Sequence, residues 1–185
     1  MTAIPSHIKN IISVEIVSDV WLKHFPEAEA LKKLTGRVAE AVIGELELRE
    51  AVELGVRLTD DDEMRILNNS FRGKDESTNV LSFTMGERDV NKPTRGYKKD
   101  FPELLGDVVI AYGTCFSEAE REYKPLSNHL QHLIVHGVLH LFGYDHGSKE
   151  KAKEMERLEA DILAPLGVPN PYDDSMIVRT KKDLC

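Results

Sequence analysis

Three histidines stand within eleven residues in the segment HGVLHLFGYDH, at positions 136, 140 and 146. His136 and His140 are four residues apart, so in a helix they project from one face about one turn apart and can share a metal ion. Gly143 follows them, and glycine readily takes the left-handed conformation that ends a helix and turns the chain back. His146 can then return to the first two imidazoles, and the segment predicts a three-histidine metal site.

The number of ligands indicates which kind of metal site this is. Three neutral imidazoles with one open position are typical of catalytic zinc, which keeps a water molecule to activate, whereas a fourth protein ligand would close a structural site. Ordinary histidines on a helix face are the other interpretation, but chance would place histidines at both offsets only about 0.01 times in such a chain. We therefore predict one Zn²⁺ per chain, held by His136, His140 and His146.

The residue after the first histidine argues against a peptidase. In the zinc-peptidase pattern HExxHxxGxxH, the histidines and the glycine have the same positions, but the second residue is a glutamate that acts as general base. Gly137 stands there instead, so another residue must manage the proton. Asp145, beside the third histidine, is the candidate catalytic residue, which could orient a ligand imidazole or accept a proton from the zinc-bound water. A turn-forming role in GYDH is its alternative.

Two further histidines, His129 and His132, lie near the same helical stripe and could compete as ligands. A supporting or structural role is expected for His132, because a ligand that turns back after Gly143 closes a tripod better than a third residue in line.

The histidine segment belongs to a predicted α+β fold, a single domain in which a small mixed four-stranded sheet is covered by about five helices. Apolar alternation and short apolar runs predict strands over IISVEIVSD, AVELGVRLT, VLSF and GDVVIAY, the last from Gly106. Helical spacing predicts helices over Pro26 to Leu46, from the acidic first turn Asp60 to Asp62 through MRILNNSF, and over FSEAEREY, LSNHLQHLIVHGVLHLF and KEKAKEMERLEADILAPL. The metal site then lies on a central helix and the following turn. We expect one domain over residues 1–168 and a polar C-terminal tail over 169–185.

Composition restricts the possible partners. The formal net charge is −8 over 185 residues, which argues against coating nucleic acid by bulk electrostatics, so an RNA partner would meet a local basic patch. The amino terminus lacks the order of a signal peptide and no apolar stretch is long enough to span a bilayer, so no membrane partner is expected. Cys115 and Cys185 give no disulfide framework, which is typical of a cytoplasmic protein.

The histidine segment resembles the signature of the YbeY family of single-domain metal-dependent endoribonucleases, and FRGKDESTNVLSF and LGDVVIA resemble that family's other recurring blocks in the expected order. The resemblance covers most of the chain from about Asn68 to Leu163. It implies a single-strand-specific, zinc-dependent endoribonuclease of ribosomal RNA processing, with the ribosomal small subunit as partner and with roles in small-subunit RNA 3′ end maturation and ribosome quality control. It also implies that the three histidines are the ligands and that the family's functional arginine falls on Arg72. No DNA partner is expected.

Arg72 has a chemical rationale of its own. Hydrolysis of an RNA phosphodiester builds negative charge on the phosphorus oxygens, and an arginine fork can hold two of them. The expected mechanism is attack on phosphorus by zinc-activated water, or assisted attack by the ribose 2′-OH, with Arg72 stabilising the anionic transition state. A solvated basic turn in RGKD is the alternative. The loop from Met85 to Pro102 carries Lys92, Arg95, Lys98 and Lys99 beside Tyr97 and Phe101, and we interpret it as a solvated loop, with RNA contact as the alternative.

Two other functions compete with this interpretation. A zinc metallopeptidase-like hydrolase is the enzymatic alternative, and a non-catalytic ribosome assembly factor with a structural zinc is the other. A fourth protein ligand would favour the assembly factor.

Overall fold

A computed structural model describes residues 9–48, 50–86 and 101–173 of the chain. Its strands form one sheet in the order β1-β2-β4-β3, where β1 is Ile11–Ile16, β2 is Val52–Thr59, β3 is Val80–Thr84 and β4 is Glu103–Ala111. The first, second and fourth strands are parallel, whereas β3 runs antiparallel to β4. The described helices are α1 (Ala28–Glu45), α2 (Asp61–Arg72), α3 (Tyr112–Arg121), α4 (Leu126–Leu141) and α5 (Lys149–Leu163), with short 3-10 turns at Asp19–Lys23 and Ala164–Leu166. The predicted α+β fold, with a mixed four-stranded sheet and five helices, is confirmed.

Side chains of β4 alternate between two apolar layers. Val108 and Ile110 join the main core with α1 and α4, and Val109 and Ala111 join a smaller core with Met64 of α2. The histidine helix α4 therefore covers one face of the sheet, while α2 covers the other. Helix α5 packs against α4 and contributes its own buried apolar residues to the main core.

The start of β4 differs from the prediction. The glycine at 106 suggested the beginning of a strand, but β4 begins at Glu103 and continues through Gly106. The register against β2 shifts there, since Leu104 pairs with Glu53 and Gly106 with Leu54, which is one residue too many on β4. Gly106 has φ of 129°, and a Cβ on it would lie 1.9 Å from the Phe83 carbonyl oxygen. This glycine thus permits a bulge within a strand.

Helix α4 lies unusually close to the sheet at Gly137. A Cβ at this position would lie 2.5 Å from Val108 Cγ1 and 3.2 Å from Val80 Cγ2. Ser82 Oγ on β3 donates a hydrogen bond of 2.9 Å to the Gly137 carbonyl. The side of α4 at position 137 therefore has no room for the glutamate of the peptidase pattern.

Side-chain caps fix the starts of helices α2 and α5. Asp60 accepts from Glu63 N at 3.0 Å at the start of α2, and Ser148 accepts from Lys151 N at 3.2 Å at the start of α5. Gly73, with φ of 69°, ends α2 in the left-handed conformation. Within the described ranges, no helix is both long enough and apolar enough to cross a membrane.

Candidate metal centre

The three predicted ligands meet at the C-terminal end of α4. His136 Nε2 lies 3.1 Å from His140 Nε2 and 3.5 Å from His146 Nε2. Gly143 takes φ of 91° just after the helix, and this turn returns His146 to the other two rings. The structure thus brings together the three histidines that the spacing predicted.

Hydrogen bonds at the Nδ1 atoms determine which tautomer His136 and His140 adopt when they are neutral. His136 Nδ1 donates to Glu159 Oε1 at 2.8 Å, and His140 Nδ1 donates to the Tyr144 carbonyl oxygen at 2.8 Å. Because a carboxylate and a carbonyl can only accept, both Nδ1 atoms carry the proton. When both rings are neutral, the Nε2 lone pairs of His136 and His140 face each other, which is how two imidazoles bind one cation.

Burial favours the neutral, ligand form of the central imidazole. The pKa of His140 is lowered to about 4 by burial and by the neighbouring imidazoles of His136 and His146. At neutral pH this ring therefore has a free lone pair for a metal, as a histidine ligand requires.

The spacing of the donors fits zinc. Tetrahedral Zn²⁺ with Zn–N bonds of about 2.0–2.1 Å separates its ligand nitrogens by about 3.3 Å. The observed separations of 3.1 and 3.5 Å lie on either side of that value. In the described part of the chain this cluster has three members, His136, His140 and His146. The donor set could therefore hold Zn²⁺ with one position left for water or substrate.

A buried carboxylate that was not predicted supports the first histidine. Glu159 on α5 is fully buried, and its Oε2 accepts from His132 Nε2 at 2.9 Å and from the Tyr172 hydroxyl. Burial alone would raise the pKa of Glu159, but the hydrogen bonds from His132 and His136 outweigh it and lower this pKa to about 2. His132 therefore bonds to the carboxylate that also holds His136, consistent with the supporting role expected for His132.

A pattern in the sequence of α5 could have indicated Glu159. The buried residues Met155, Glu159 and Ile162 share one helix face, so an acid stands in the apolar stripe of an otherwise amphipathic helix. An acid at such a position needs hydrogen-bond donors from a neighbouring element. Tyr172 has no comparable pattern, because it lies beyond the 3-10 turn Ala164–Leu166 and outside any described helix.

Asp145 has the contacts of a turn residue. Its Oδ1 accepts from Gly147 N, and its Oδ2 accepts from Lys151 Nζ at 2.9 Å. These contacts lower the pKa of Asp145, the hydrogen bond from Lys151 most. The Nδ1 atoms of His136 and His140 are bonded to Glu159 and to the Tyr144 carbonyl, so Asp145 does not orient these two rings. Its role in proton transfer remains a prediction.

Arg72 is the last residue of α2 and is exposed. The ring centroid of Phe71 lies 4.8 Å from that of Phe83 on the edge strand β3, so the end of α2 packs against this strand. The neighbouring residue Ser82 of the same strand bonds to α4 on the other face of the sheet. Across the described ranges, no hydrogen bond or ion pair joins Arg72 to the three histidines. Its catalytic role remains a prediction.

A groove of about 360 Å³ adjoins the histidine cluster and includes His136 in its wall. Glu118 lies in this groove and is bonded to His129 Nε2 at 2.8 Å and to Asn79 Nδ2 at 2.9 Å. Lys124 and Tyr172 also line the groove. Of the basic loop, residues 87–100 lie outside the described ranges, and Phe101 is exposed.

Comparison with known proteins identifies the family. The family model described as Endoribonuclease YbeY matches residues 19–167. The chain belongs to the YbeY family. The resemblance read from the sequence motifs is thereby confirmed.

Relatives of the family match this chain over most of its length. The Endoribonuclease YbeY of Paramagnetospirillum magneticum is 44% identical over 164 residues, which are 88% of this chain and 96% of the relative. That of Bradyrhizobium diazoefficiens is 46% identical over 163 residues, which are 87% of this chain and 84% of the relative. The solution structure of TM1509 from Thermotoga maritima is similar in fold, with a TM-score of 0.52 at 22% identity over 89% of this chain and 97% of that one.

Proposed function

We propose that this chain is a zinc-dependent endoribonuclease that hydrolyses phosphodiester bonds of single-stranded RNA. The observation that carries the proposal is the convergence of three histidine Nε2 atoms, at 3.1 and 3.5 Å, in a chain of the YbeY family. The family supports RNA as the substrate, and the donor set supports a metal-assisted hydrolysis.

The residues of the chain have distinct parts in this reaction. When bound, Zn²⁺ would act as a Lewis acid toward a phosphoryl oxygen and would lower the pKa of water. His136, His140 and His146 would hold it, and the groove beside His136 would receive the RNA strand. Arg72 is assigned to the phosphate oxygens because its fork can bind two of them. Asp145 is the candidate for moving a proton.

The proposed substrate is ribosomal RNA in the cytoplasm, with the ribosomal small subunit as partner. Maturation of the small-subunit RNA 3′ end and ribosome quality control are the processes that the family resemblance favours. The net charge of −8 supports a local contact with RNA rather than a broad one.

The structure provides arguments against both alternatives. A peptidase would need its glutamate at position 137, but a Cβ added to Gly137 would lie only 2.5 Å from Val108 Cγ1. A structural zinc would need a fourth ligand, and the cluster has three members among residues 9–48, 50–86 and 101–173.

A substrate comparison tests the proposed function. The purified protein, loaded with zinc, is incubated with a single-stranded ribosomal RNA fragment, the same sequence as an RNA duplex, its DNA equivalent and casein. We expect cleavage of the single-stranded RNA alone. Zinc-dependent cleavage of casein would indicate the peptidase, and zinc binding without cleavage of any substrate would indicate the assembly factor.

A further inference from the structure

We propose that Glu159 and Tyr172 are positioning residues of the metal site, which together hold His136 in the tautomer and orientation that a ligand needs. The inference rests on the metal-binding part of the proposed function and does not depend on the RNA reaction. Both residues lie beyond the histidine segment, on α5 and after it.

Three hydrogen-bond donors surround the buried Glu159 carboxylate and offset the cost of its burial. Its side chain is 0% exposed, and an ionised carboxylate in such a place is costly unless it is fully hydrogen-bonded. Oε1 accepts from His136 Nδ1 at 2.8 Å, while Oε2 accepts from His132 Nε2 at 2.9 Å and from the Tyr172 hydroxyl. This set of donors satisfies both carboxylate oxygens and fixes the plane of the carboxylate.

The fixed carboxylate determines the state of His136. Because Glu159 Oε1 accepts from His136 Nδ1, the neutral His136 ring carries its proton on Nδ1 and has its Nε2 lone pair on the side of His140 and His146. A carboxylate at Nδ1 also increases the basicity of the ring as a metal ligand. Loss of Glu159 would allow the His136 ring to rotate and to exchange tautomers.

Tyr172 connects the end of the described chain to this support. Its hydroxyl donates to Glu159 Oε2, and its ring packs edge-on against His132, with centroids 5.5 Å apart and planes at 86°. Lys124 Nζ donates to the Pro171 carbonyl at 3.1 Å and holds the adjacent backbone. Pro171 and Tyr172, which lie beyond the 3-10 turn Ala164–Leu166, therefore belong to the support of the metal site.

A second metal ion is the competing explanation for the same residues. Ligand atoms of His132, His136 and Glu159 lie within 4.8 Å of one another. The contacts of 2.8 and 2.9 Å, however, are the lengths of hydrogen bonds, and each joins a donor to an acceptor. We therefore infer one ion per chain, with Glu159 outside its ligand set.

Metal affinity and spectroscopy test the inference without an activity assay. The zinc dissociation constant is measured by competition with a chromophoric chelator, and the d–d absorption of the Co²⁺-loaded protein reports ligand geometry. We expect Glu159→Gln to bind zinc 10–100-fold more weakly, with shifted Co²⁺ bands. Tyr172→Phe removes one donor of three, and we expect a smaller loss of about threefold to tenfold. Because Tyr172 is partly exposed, this variant is expected to fold even if Glu159→Gln does not.

Glu118→Gln is the matched control. Glu118 Oε2 bonds to His129 Nε2 at 2.8 Å, which is the same pairing on the same helix α4, but His129 is outside the histidine cluster. We expect this variant to bind zinc as tightly as the wild type. The inference is wrong if Tyr172→Phe and Glu159→Gln leave affinity and Co²⁺ bands unchanged, if Glu118→Gln weakens zinc equally, or if the wild type binds two ions or none. Tight zinc binding without RNA cleavage would refute only the proposed reaction.

Discussion

At the scale of single residues, the hydrogen-bond partners of the imidazoles are as informative as their spacing. Sequence spacing predicts that three rings converge, but any convergent set could be ordinary ring contacts. The acceptors at His136 Nδ1 and His140 Nδ1 leave the two Nε2 atoms, 3.1 Å apart, available to one cation when the rings are neutral. The hydrogen bonds therefore support a metal site more strongly than the spacing alone.

Arg72 is the residue whose role can be separated from metal binding. If Arg72 holds the phosphate while the histidines hold zinc, Arg72→Ala should leave fold and zinc content unchanged. RNA cleavage should fall by ~10²-fold or more, by analogy with the loss of an oxyanion-hole donor. Arg72→Lys should restore only part of the rate, since a point charge cannot form the bidentate fork.

The measurement is single-turnover cleavage of a single-stranded ribosomal RNA fragment by wild type and both variants, with zinc quantified in each sample. Equal rates at equal zinc content would show that Arg72 is a solvated turn residue and that another group binds the phosphate.

At the scale of elements, the close packing of α4 on the sheet determines where the histidines stand. Because Gly137 has no side chain, the helix can approach Val108 and Val80 so closely that a Cβ at this position would clash with Val108. The bonded Ser82 hydroxyl fixes the same turn of the helix to β3. The sheet thus positions the histidines on that turn, which is what a catalytic metal site would require.

Substitution of this glycine tests the packing argument. Gly137→Ala should lower the free energy of unfolding by about 1–3 kcal/mol, because the added methyl group overpacks the helix–sheet contact. The control is Gly36→Ala on α1, where a Cβ has no atom within 4 Å. There the better helix propensity of alanine should stabilise the protein by up to about 1 kcal/mol. Urea unfolding of both variants measures the difference, and equal stability changes would contradict the proposed close approach.

The element pattern was largely predictable, whereas the bulge in β4 was not. Alternating apolar residues define a strand whatever its register, so β1 and β2 follow from the sequence. Glycine at 106 suggested the start of a strand, yet it permits an extra residue opposite Glu53 and Leu54. That choice depends on the backbone of β3, which contacts Gly106 and is far from it in sequence.

At the scale of the whole molecule, the site depends on contacts that no local pattern contains. Glu159 is 23 residues from His136, and Tyr172 is 40 residues from His132. The local spacing of the histidines predicts the ligands, but the carboxylate that orients one of them comes from another helix. The division into a domain over 1–168 and a tail over 169–185 remains a prediction, although Tyr172 shows that the first part of that tail contacts the site.

The central claim is that a zinc ion held by His136, His140 and His146 makes this chain an endoribonuclease. Removing the metal and then restoring it tests this claim most directly. Wild-type protein and His140→Ala are stripped with a chelator, reloaded with one equivalent of zinc, and assayed on a single-stranded ribosomal RNA fragment. We expect the wild type to lose cleavage on stripping, to bind about one zinc per chain on reloading and to regain its rate, while His140→Ala retains little zinc and stays inactive. Cleavage that survives complete metal removal, or a His140→Ala variant that binds stoichiometric zinc and cleaves at the wild-type rate, would contradict the account.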